Sequence, residues 1–263
     1  MKSRKLSAWG CALSLVVGAS LVHRTYAQTR KLAPFTVAGM VTSTKGSPLA
    51  GATVQLNADF VYGRASTTTG SDGRYSFRDL LKATYRAQAW VTVPYGQGAV
   101  CQQLAMANPT DYNSFPVSSG AIRNFRWQLT GKVGFTDQYF GASIRIWDLE
   151  PATSYMANAR AIEFTLTPTG PLVDGSPASV IVKQAMLDYP ASDHGLDDVP
   201  LGTYRLKAVG IGKDGRRTPL NIKPLGIEDF RPEIDLVWDT DRRCGFVGDN
   251  GTKPFGVELS VRR

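Results

Sequence analysis

The sequence predicts an all-β protein of two tandem β-sandwiches, the second larger than the first. Three observations support this fold class. Short runs that alternate apolar and polar residues recur along the chain, as strands with one buried face require. No segment shows the sustained 3.6-residue apolar repeat of an amphipathic helix. Three motifs occur twice in the same order, which indicates one β-module used twice.

The first 27 residues are predicted to be a secretory signal peptide. Three basic residues within the first five precede an apolar run over residues 8–22, and Ala27 ends a short cleavage motif. The run is about 15 residues long, shorter than the roughly 20 that span a bilayer, although an uncleaved N-terminal anchor is an alternative. We therefore expect a secreted or periplasmic protein with no membrane span after cleavage, beginning with an extension over residues 28–34.

The charge balance argues against nucleic acid as a partner. The whole chain has 30 basic and 22 acidic residues, a net charge of +8. The signal peptide carries four of the basic residues, so the mature chain keeps 26 against 22, or +4. These residues are scattered along the chain as short pairs, whereas nucleic-acid binding needs a clustered basic face.

The first module is predicted over residues 35–92. Asp72-Gly73 between two alternating runs is typical of a tight turn, because glycine adopts the positive φ that such turns need. Four alternating runs are predicted as strands, at residues 35–41, 52–56, 74–77 and 84–89. These short strands are sufficient for a small sandwich.

Two motifs in this module are specific. They are Gly-x-Pro-x-x-Gly-Ala-x-Val over residues 46–54 and Asp-Gly-x-Tyr-x-Phe over residues 72–77. With them, the module resembles the carboxypeptidase regulatory-like domain, a transthyretin-like (prealbumin-like) and broadly Ig-like β-sandwich. Lys-Ala-Thr at residues 82–84 replaces the usual Pro-Gly, which changes turn geometry. The resemblance implies no active site, since the catalytic zinc domain of carboxypeptidases is separate, and it implies contact with carbohydrate or protein.

A second, divergent copy is predicted over residues 122–263. The matched segments of the two copies are 129–133 with 37–41, 141–146 with 51–56, and 198–208 with 79–89. Compared with the first copy, the second would contain a long insertion at about 150–197. Further strands are expected at residues 162–166, 179–183, 219–223, 233–238 and 256–261.

Residues 93–121 are predicted to be a linker between the two sandwiches. This segment is rich in Pro, Gly, Asn and Ser and is longer than an ordinary loop. Its aromatic residues, Tyr95, Tyr112 and Phe115, argue against a disordered tether. We therefore expect an ordered connection.

Two cysteines remain after signal cleavage, Cys101 and Cys244. An even number of cysteines in an exported protein predicts a disulfide, with two separate buried thiols as the alternative. A bond across this loop of roughly 140 residues would stabilise the fold by about 5 kcal/mol in the chain-entropy model.

The residue inventory does not support catalysis. The mature chain has a single histidine, His194, beside Asp193, Asp197 and Asp198. We interpret it as part of a solvated loop, with a cation site or an acid/base pair as alternatives. Zinc needs three or four ligands of His, Cys or carboxylate type. We predict no metal, no cofactor and no enzymatic activity.

A carboxylate-based hydrolase remains the enzymatic alternative, because glycosidases need only two carboxylates at a fixed separation. The candidate pairs are Asp148 with Glu150 and Asp235 with Asp239. Both pairs lie at predicted strand ends, where solvated charges are common.

Side-chain alternation locates the candidate binding residues. Three residues are predicted to point away from the core because they alternate with inward-facing residues of their own strands: Trp90, Arg145 and Trp147. Tyr95 lies nearby in the predicted linker. The other two tryptophans of the mature chain are predicted to pack in the cores: Trp127 and Trp238. Exposed aromatic planes beside polar groups suit sugar rings, but they equally suit an interface between domains. The expected partner is therefore a carbohydrate or an extracytoplasmic protein, the latter in an assembly or scaffold role in an envelope complex.

Overall fold

The computed structural model describes residues 32–59, 63–147, 159–187, 194–240, 244 and 251–261, and the backbone of 148–150. The predicted signal peptide lies outside this part of the chain. Within it, no helix combines the length and the apolar character that crossing a membrane requires.

The N-terminal sandwich consists of ten strands in two sheets. Its strands are β1 Val37–Thr42, β2 Thr53–Ala58, β3 Arg64–Thr68, β4 Arg74–Phe77, β5 Thr84–Tyr95, β6 Gly98–Gln103, β7 Ala105–Met106, β8 Phe115–Pro116, β9 Ala121–Ile122 and β10 Phe125–Arg126, with a short 3-10 helix at Pro109–Tyr112. One sheet has the order β4-β1-β10-β7 with β9 beside β1, and the other has the order β3-β2-β5-β6 with β8 beside β5. Their inner faces enclose one apolar core. The predicted all-β class is confirmed.

The motif residues explain why this sandwich forms where it does. Along β5, Tyr85 and Ala89 are buried while Arg86 between them is exposed, as the alternation of a strand requires. The turn before β4 closes with a hydrogen bond from Gly70 N to Arg74 O of 3.0 Å. Gly73 has φ 71° in this turn, and a Cβ there would lie only 2.6 Å from the carbonyl oxygen of Val41. Only glycine meets both conditions without strain.

Residues 93–121 differ from the prediction, because they complete the N-terminal sandwich rather than connecting two modules. The last strand of the motif continues to Tyr95 and forms a hairpin with β6, and β7, β8 and β9 follow within the same segment. Trp127, beyond the predicted boundary at 121, also packs in this core and donates from Nε1 to Gln102 Oε1 at 3.0 Å. Pro94, which suggested a break, lies within β5 opposite Ala99.

The C-terminal sandwich is built from one continuous sheet. Its strands are β11 Ala142–Glu150, β12 Ala159–Pro168, β13 Ile181–Met186, β14 Gly195–Val199, β15 Tyr204–Gly212, β16 Arg217–Pro224, β17 Ile234–Leu236 and β18 Phe255–Val261. Their order is β13-β12-β15-β16-β18-β11-β14, with β17 beside β15. All eight strands contribute to one core, so the sheet curves around it. Lys183 Nζ on β13 donates to the carbonyl of Asp198 on β14 at 2.9 Å, which holds the two edge strands close together.

The two sandwiches have the same strand topology. In the N-terminal sandwich β1 pairs antiparallel with β4 and parallel with β10, and in the C-terminal sandwich β11 pairs antiparallel with β14 and parallel with β18. The order β3-β2-β5-β6 likewise corresponds to β13-β12-β15-β16. The difference is that β16 pairs with both β15 and β18, which joins the two layers into one sheet.

The repeated tyrosine motif has the same local structure in both sandwiches. Tyr85 Oη donates to the carbonyl of Leu81 at 3.1 Å, and Tyr204 Oη donates to that of Pro200 at 2.7 Å, each four residues upstream. This is the geometry of a tyrosine corner. Burial raises the pKa of Tyr204 to about 12, so its hydroxyl stays protonated and donates at neutral pH.

The predicted match of individual strands between the copies is wrong by one strand. The segment 141–146 begins β11, which corresponds to β1 in its pairing and not to β2. Residues 129–133, predicted as the first strand, contain only an isolated bridge from Lys132 to Tyr139. The predicted insertion at 150–197 supplies β12, β13 and the start of β14, the counterparts of β2, β3 and β4. A Gly-Ala-x-apolar run indicates a buried strand but not its position in the sheet.

The tip of the β5–β6 hairpin enters the core of the C-terminal sandwich. Tyr95 and Val100 are buried among its apolar residues. Tyr95 Oη donates to the carbonyl of Gly202 at 2.9 Å and accepts from Trp238 N at 3.2 Å. The predicted disulfide between Cys101 and Cys244 is confirmed, with 5.5 Å between the two Cα atoms, and it links β6 to the C-terminal segment.

Tyr95→Phe is expected to lower the free energy of unfolding by about 1–3 kcal/mol, because it removes a buried hydroxyl and leaves Gly202 and Trp238 backbone groups without that partner. Urea denaturation followed by circular dichroism measures the change. Tyr139→Phe, at a half-buried site outside both main cores, is the matched control and should change it by less than about 0.5 kcal/mol. Equal losses in the two variants would contradict the anchoring role of Tyr95.

Candidate functional site

Trp147 is the largest exposed aromatic side chain in the described part of the chain, with 66% of its surface accessible. It lies in β11 at a β-bulge: Ile146 is opposite Val257 and Asp148 is opposite Glu258, so Trp147 is the extra residue between them. Bulges redirect side chains relative to the regular pleat. The prediction that Trp147 points outward is confirmed.

Gly256 on β18 provides the space that the indole occupies. A Cβ at this position would lie 2.7 Å from Trp147 Nε1 and 3.0 Å from Leu225 Cβ. The indole and Leu225 therefore both lie next to the position that a side chain at residue 256 would occupy, and Leu225 is itself exposed. We call the group formed by Arg145, Trp147, Leu225 and Gly256 the Trp147 surface.

Arg145 forms the polar side of the Trp147 surface. It is two residues before Trp147 on the same strand and is paired in register with Gly256. Its Nη2 lies 2.7 Å from Asp197 Oδ1, and its Nη1 donates to the carbonyl of Leu196 at 3.3 Å. These bonds hold the guanidinium over β14, on the side of β11 opposite to Gly256, and place a carboxylate there as an acceptor.

A second ion pair borders the surface along β18. Glu258 Oε2 lies 2.7 Å from Lys223 Nζ on β16, and both side chains are largely buried. The Lys223 ammonium is also 4.8 Å from the centre of the Phe230 ring, within the range of a cation–π contact. Two fixed ion pairs therefore lie on the strands around the exposed indole, Arg145 with Asp197 and Lys223 with Glu258.

The structure does not join Trp90 and Tyr95 to this surface. Trp90 was predicted to point away from the core, either as a ligand platform or at an interface, and only 1% of its surface is accessible; Tyr95 is buried as described above. Trp90 faces the same side of β5 as Thr92, whose Oγ1 lies 3.4 Å from Cys244 Sγ. The disulfide thus brings Cys244 against this face next to Trp90, which is buried, whereas Thr92 itself remains exposed.

The polar cluster around His194 is also used structurally. His194 is buried, which corrects the predicted solvated loop, and Asp193 lies outside the described residues. Asp197 binds Arg145, and the Asp198 carboxylate accepts from Gly131 N at 2.8 Å. Where the chain is described, no group of three or more His, Cys, Asp or Glu side chains could hold a metal ion.

Of the candidate carboxylate pairs, the structure describes the side chains of Asp235 and Asp239 only. The side chains of Asp148 and Glu150 lie outside the described residues. Asp235 Oδ1 is 2.9 Å from Arg205 Nε, so this carboxylate is engaged in an exposed ion pair. Asp239 is exposed, and its backbone carbonyl accepts from Lys253 N at 3.0 Å.

Sequence reasoning missed Gly256 and Leu225. Gly256 did carry a signal, because a glycine inside a predicted strand often marks the close approach of another group. Leu225 carried none, since a single exposed leucine after a strand is common on protein surfaces.

Comparisons with known proteins agree with part of this description. Residues 36–99 match the family model of the carboxypeptidase regulatory-like domain, which confirms the resemblance seen in the motifs. None of the curated proteins matches the chain.

Among solved structures, the chain is similar to the Bacillus anthracis TIE protein, at 11% identity and a TM-score of 0.32, covering 87% of this chain and 34% of that one. It is also similar to a streptococcal ancillary pilin, at 10% identity and a TM-score of 0.25, covering 86% and 62%. A DUF3823 family protein from Bacteroides uniformis gives 12% identity and a TM-score of 0.22, covering 78% and 99%. The chain spans about a third of the first protein's length and under two thirds of the second's. Likenesses of this size do not identify a function.

Proposed function

We propose that the protein is a non-catalytic binding protein, secreted or periplasmic, and that its Trp147 surface binds carbohydrate. The observation that carries this proposal is the exposure of 66% of the Trp147 side chain in a setting that fixes it. An exposed indole keeps a large apolar plane in water, which is unfavourable in free energy. A sugar ring that covers the plane removes this apolar surface from water and so stabilises the complex.

The polar groups beside Trp147 support a ligand with many hydroxyl groups. The Arg145 guanidinium has five N–H donors, and the Asp197 carboxylate accepts more than the one hydrogen bond that Arg145 gives it. Both are partly exposed and lie towards β14, so a saccharide that covers the indole and extends across β11 can place a hydroxyl on either. Their mutual bonds hold them in place before the ligand arrives, which lowers the entropy cost of binding.

A protein partner is the second candidate for the same surface. Leu225 lies next to Gly256, Ile227 follows two residues later in the same turn after β16, and both are exposed. An aromatic residue flanked by aliphatic ones is typical of the centre of a protein interface. This arrangement supports the assembly role, in which a partner covers Trp147, Leu225 and Ile227 together.

Tryptophan fluorescence distinguishes the two candidates. The other described tryptophans are buried, so acrylamide quenching reports mainly on Trp147. Titration of the mature protein with a panel of soluble polysaccharides is expected to give a saturable spectral shift and to protect Trp147 from acrylamide. Trp147→Ala should abolish both effects, and Gly256→Val should weaken binding at least ~10-fold, about 1.4 kcal/mol, by displacing the indole.

Phe135→Ala, which removes an exposed aromatic residue on the other sandwich, is the matched control and should bind like the wild type. Binding that survives Trp147→Ala would contradict the proposed site. If no polysaccharide binds and Trp147 becomes protected from acrylamide only as the protein concentration rises, the assembly role replaces the carbohydrate role.

A further inference from the structure

A pocket of about 210 Å3 opens on the N-terminal sandwich. It lies along β5 where the neighbouring strands leave a gap. Within the described pairings, β8 covers Thr84 and Tyr85, β6 covers Trp90 to Tyr95, and residues 86–88 have no strand partner on that side. The opening therefore exists because β6 and β8 pair with different parts of the long strand β5 and leave residues 86–88 between them uncovered.

The floor of this pocket is apolar and belongs to the core. Leu104, Met106 and Phe125 line it, each with 1–3% of its surface exposed, so only a small part of each side chain faces the opening. Tyr112 forms a wall, fixed by a hydrogen bond of 3.2 Å from Met106 N to its hydroxyl oxygen. Because these side chains are held by the fold, the pocket is formed before any ligand enters.

Phe135 stands at the rim with 77% of its surface exposed. It belongs to a short loop that packs on the pocket wall: a Cβ at Gly134 would lie 3.0 Å from the Tyr112 ring. Thr136 Oγ1 donates to the carbonyl of Val133 at 2.7 Å, and Val133 is buried, so the loop is anchored on both sides of the phenylalanine. A planar ligand in the pocket would cover this exposed ring.

Arg86 is the charged residue of the described lining, which contains no carboxylate. Its Nε donates to Ser114 Oγ at 2.9 Å and lies 3.7 Å from Asp59 Oδ1, while the guanidinium is largely exposed. The four N–H donors on its two Nη atoms are additional to the Nε–H that Ser114 accepts. Arginine binds carboxylates through such a pair of donors.

We propose that this pocket binds a small aromatic carboxylate. Its ring lies in the opening above Leu104 and Met106, against Tyr112 and Phe135, and its carboxylate reaches the Arg86 guanidinium. An apolar cavity of about 150 Å3 takes a benzene molecule, so this volume accepts one ring with a short tail. A polysaccharide chain does not fit it, and the site is separate from the Trp147 surface.

The test compares 3-phenylpropionate with its neutral analogue 3-phenylpropanol, using ligand-observed NMR titration of the mature protein. The acid is expected to bind with a dissociation constant near ~1 mM, at least ~10-fold more tightly than the alcohol. Arg86→Gln should remove the difference between them. Phe135→Ala should weaken both at least ~10-fold.

Both variants change exposed side chains, so circular dichroism should show an unchanged fold. The matched controls, which should bind like the wild type, are Arg64→Gln on β3, Leu81→Ala at a side chain that is 71% exposed, and Trp147→Ala. The proposal is overturned if neither compound saturates the pocket at about 10 mM, or if acid and alcohol bind equally. Loss of binding in Trp147→Ala would also overturn it, because that would place the ligand on the other sandwich.

Discussion

Trp90→Ala is expected to lower the free energy of unfolding by about 3–5 kcal/mol, the usual cost of removing a buried tryptophan. Trp147→Ala should lower it by less than about 1 kcal/mol, since most of that side chain is already in water. The reason for the difference is burial alone: Trp90 has 1% of its surface exposed although it points away from the core of its own sandwich. Its neighbours across the sheet are Thr53 and Gln103.

Urea denaturation of the two variants, followed by far-UV circular dichroism, measures both values. Trp90→Phe keeps the variant measurable if the alanine change prevents folding, and it should cost about 1–3 kcal/mol. A loss below about 1 kcal/mol for Trp90→Ala would show that the Trp90 side chain is accessible to solvent, and would restore it as a candidate ligand platform.

Reduction of the Cys101–Cys244 disulfide is expected to lower the free energy of unfolding by about 3–5 kcal/mol. The bond joins residues 143 apart in sequence, so its absence restores much conformational freedom to the unfolded chain. In the native state it also holds the C-terminal segment on β6, where a Cβ at Gly251 would collide with the carbonyl of Cys101. Both effects act in the same direction.

The measurement is the urea midpoint with and without a phosphine reductant, with free thiols counted to verify complete reduction. The double variant Cys101→Ala/Cys244→Ala is the control, because its midpoint should be low and insensitive to the reductant. An unchanged midpoint after complete reduction would show that the β5–β6 hairpin and its buried Tyr95 hold the two sandwiches together without the bond.

The first sandwich was predicted closely where the signal is local. The run at 74–77 is β4, and the runs at 52–56 and 84–89 fall within or beside β2 and β5. The hairpin beyond residue 89 was missed because Pro94 and Gly96 are typical of a loop. In the fold, Gly96 has φ 56° in the turn between β5 and β6, and Pro94 is accommodated in the strand.

At the candidate site too, the local pattern was predicted correctly and the long-range packing was not. Alternation places Trp147 and Trp90 on the outer side of their strands, and this is correct for both. It does not tell what lies over that side of the strand. Trp147 faces solvent next to Gly256, whereas Trp90 is buried near the disulfide. Covering depends on segments about 100 to 150 residues away in sequence, which a local pattern does not report.

By itself the sequence determined the all-β class, the Asp72-Gly73 turn and the family resemblance of the first sandwich, and it favoured the pairing of the two cysteines. These depend on periodicity, on backbone conformations that few residues adopt, or on a simple count. Only the tertiary structure decided which strands pair, that β11 corresponds to β1, that Tyr95 enters the second core, and which tryptophan is exposed. The physical reason is that alternation describes one strand and its two faces. The neighbour of each strand and the cover of each face are chosen by packing between residues far apart along the chain.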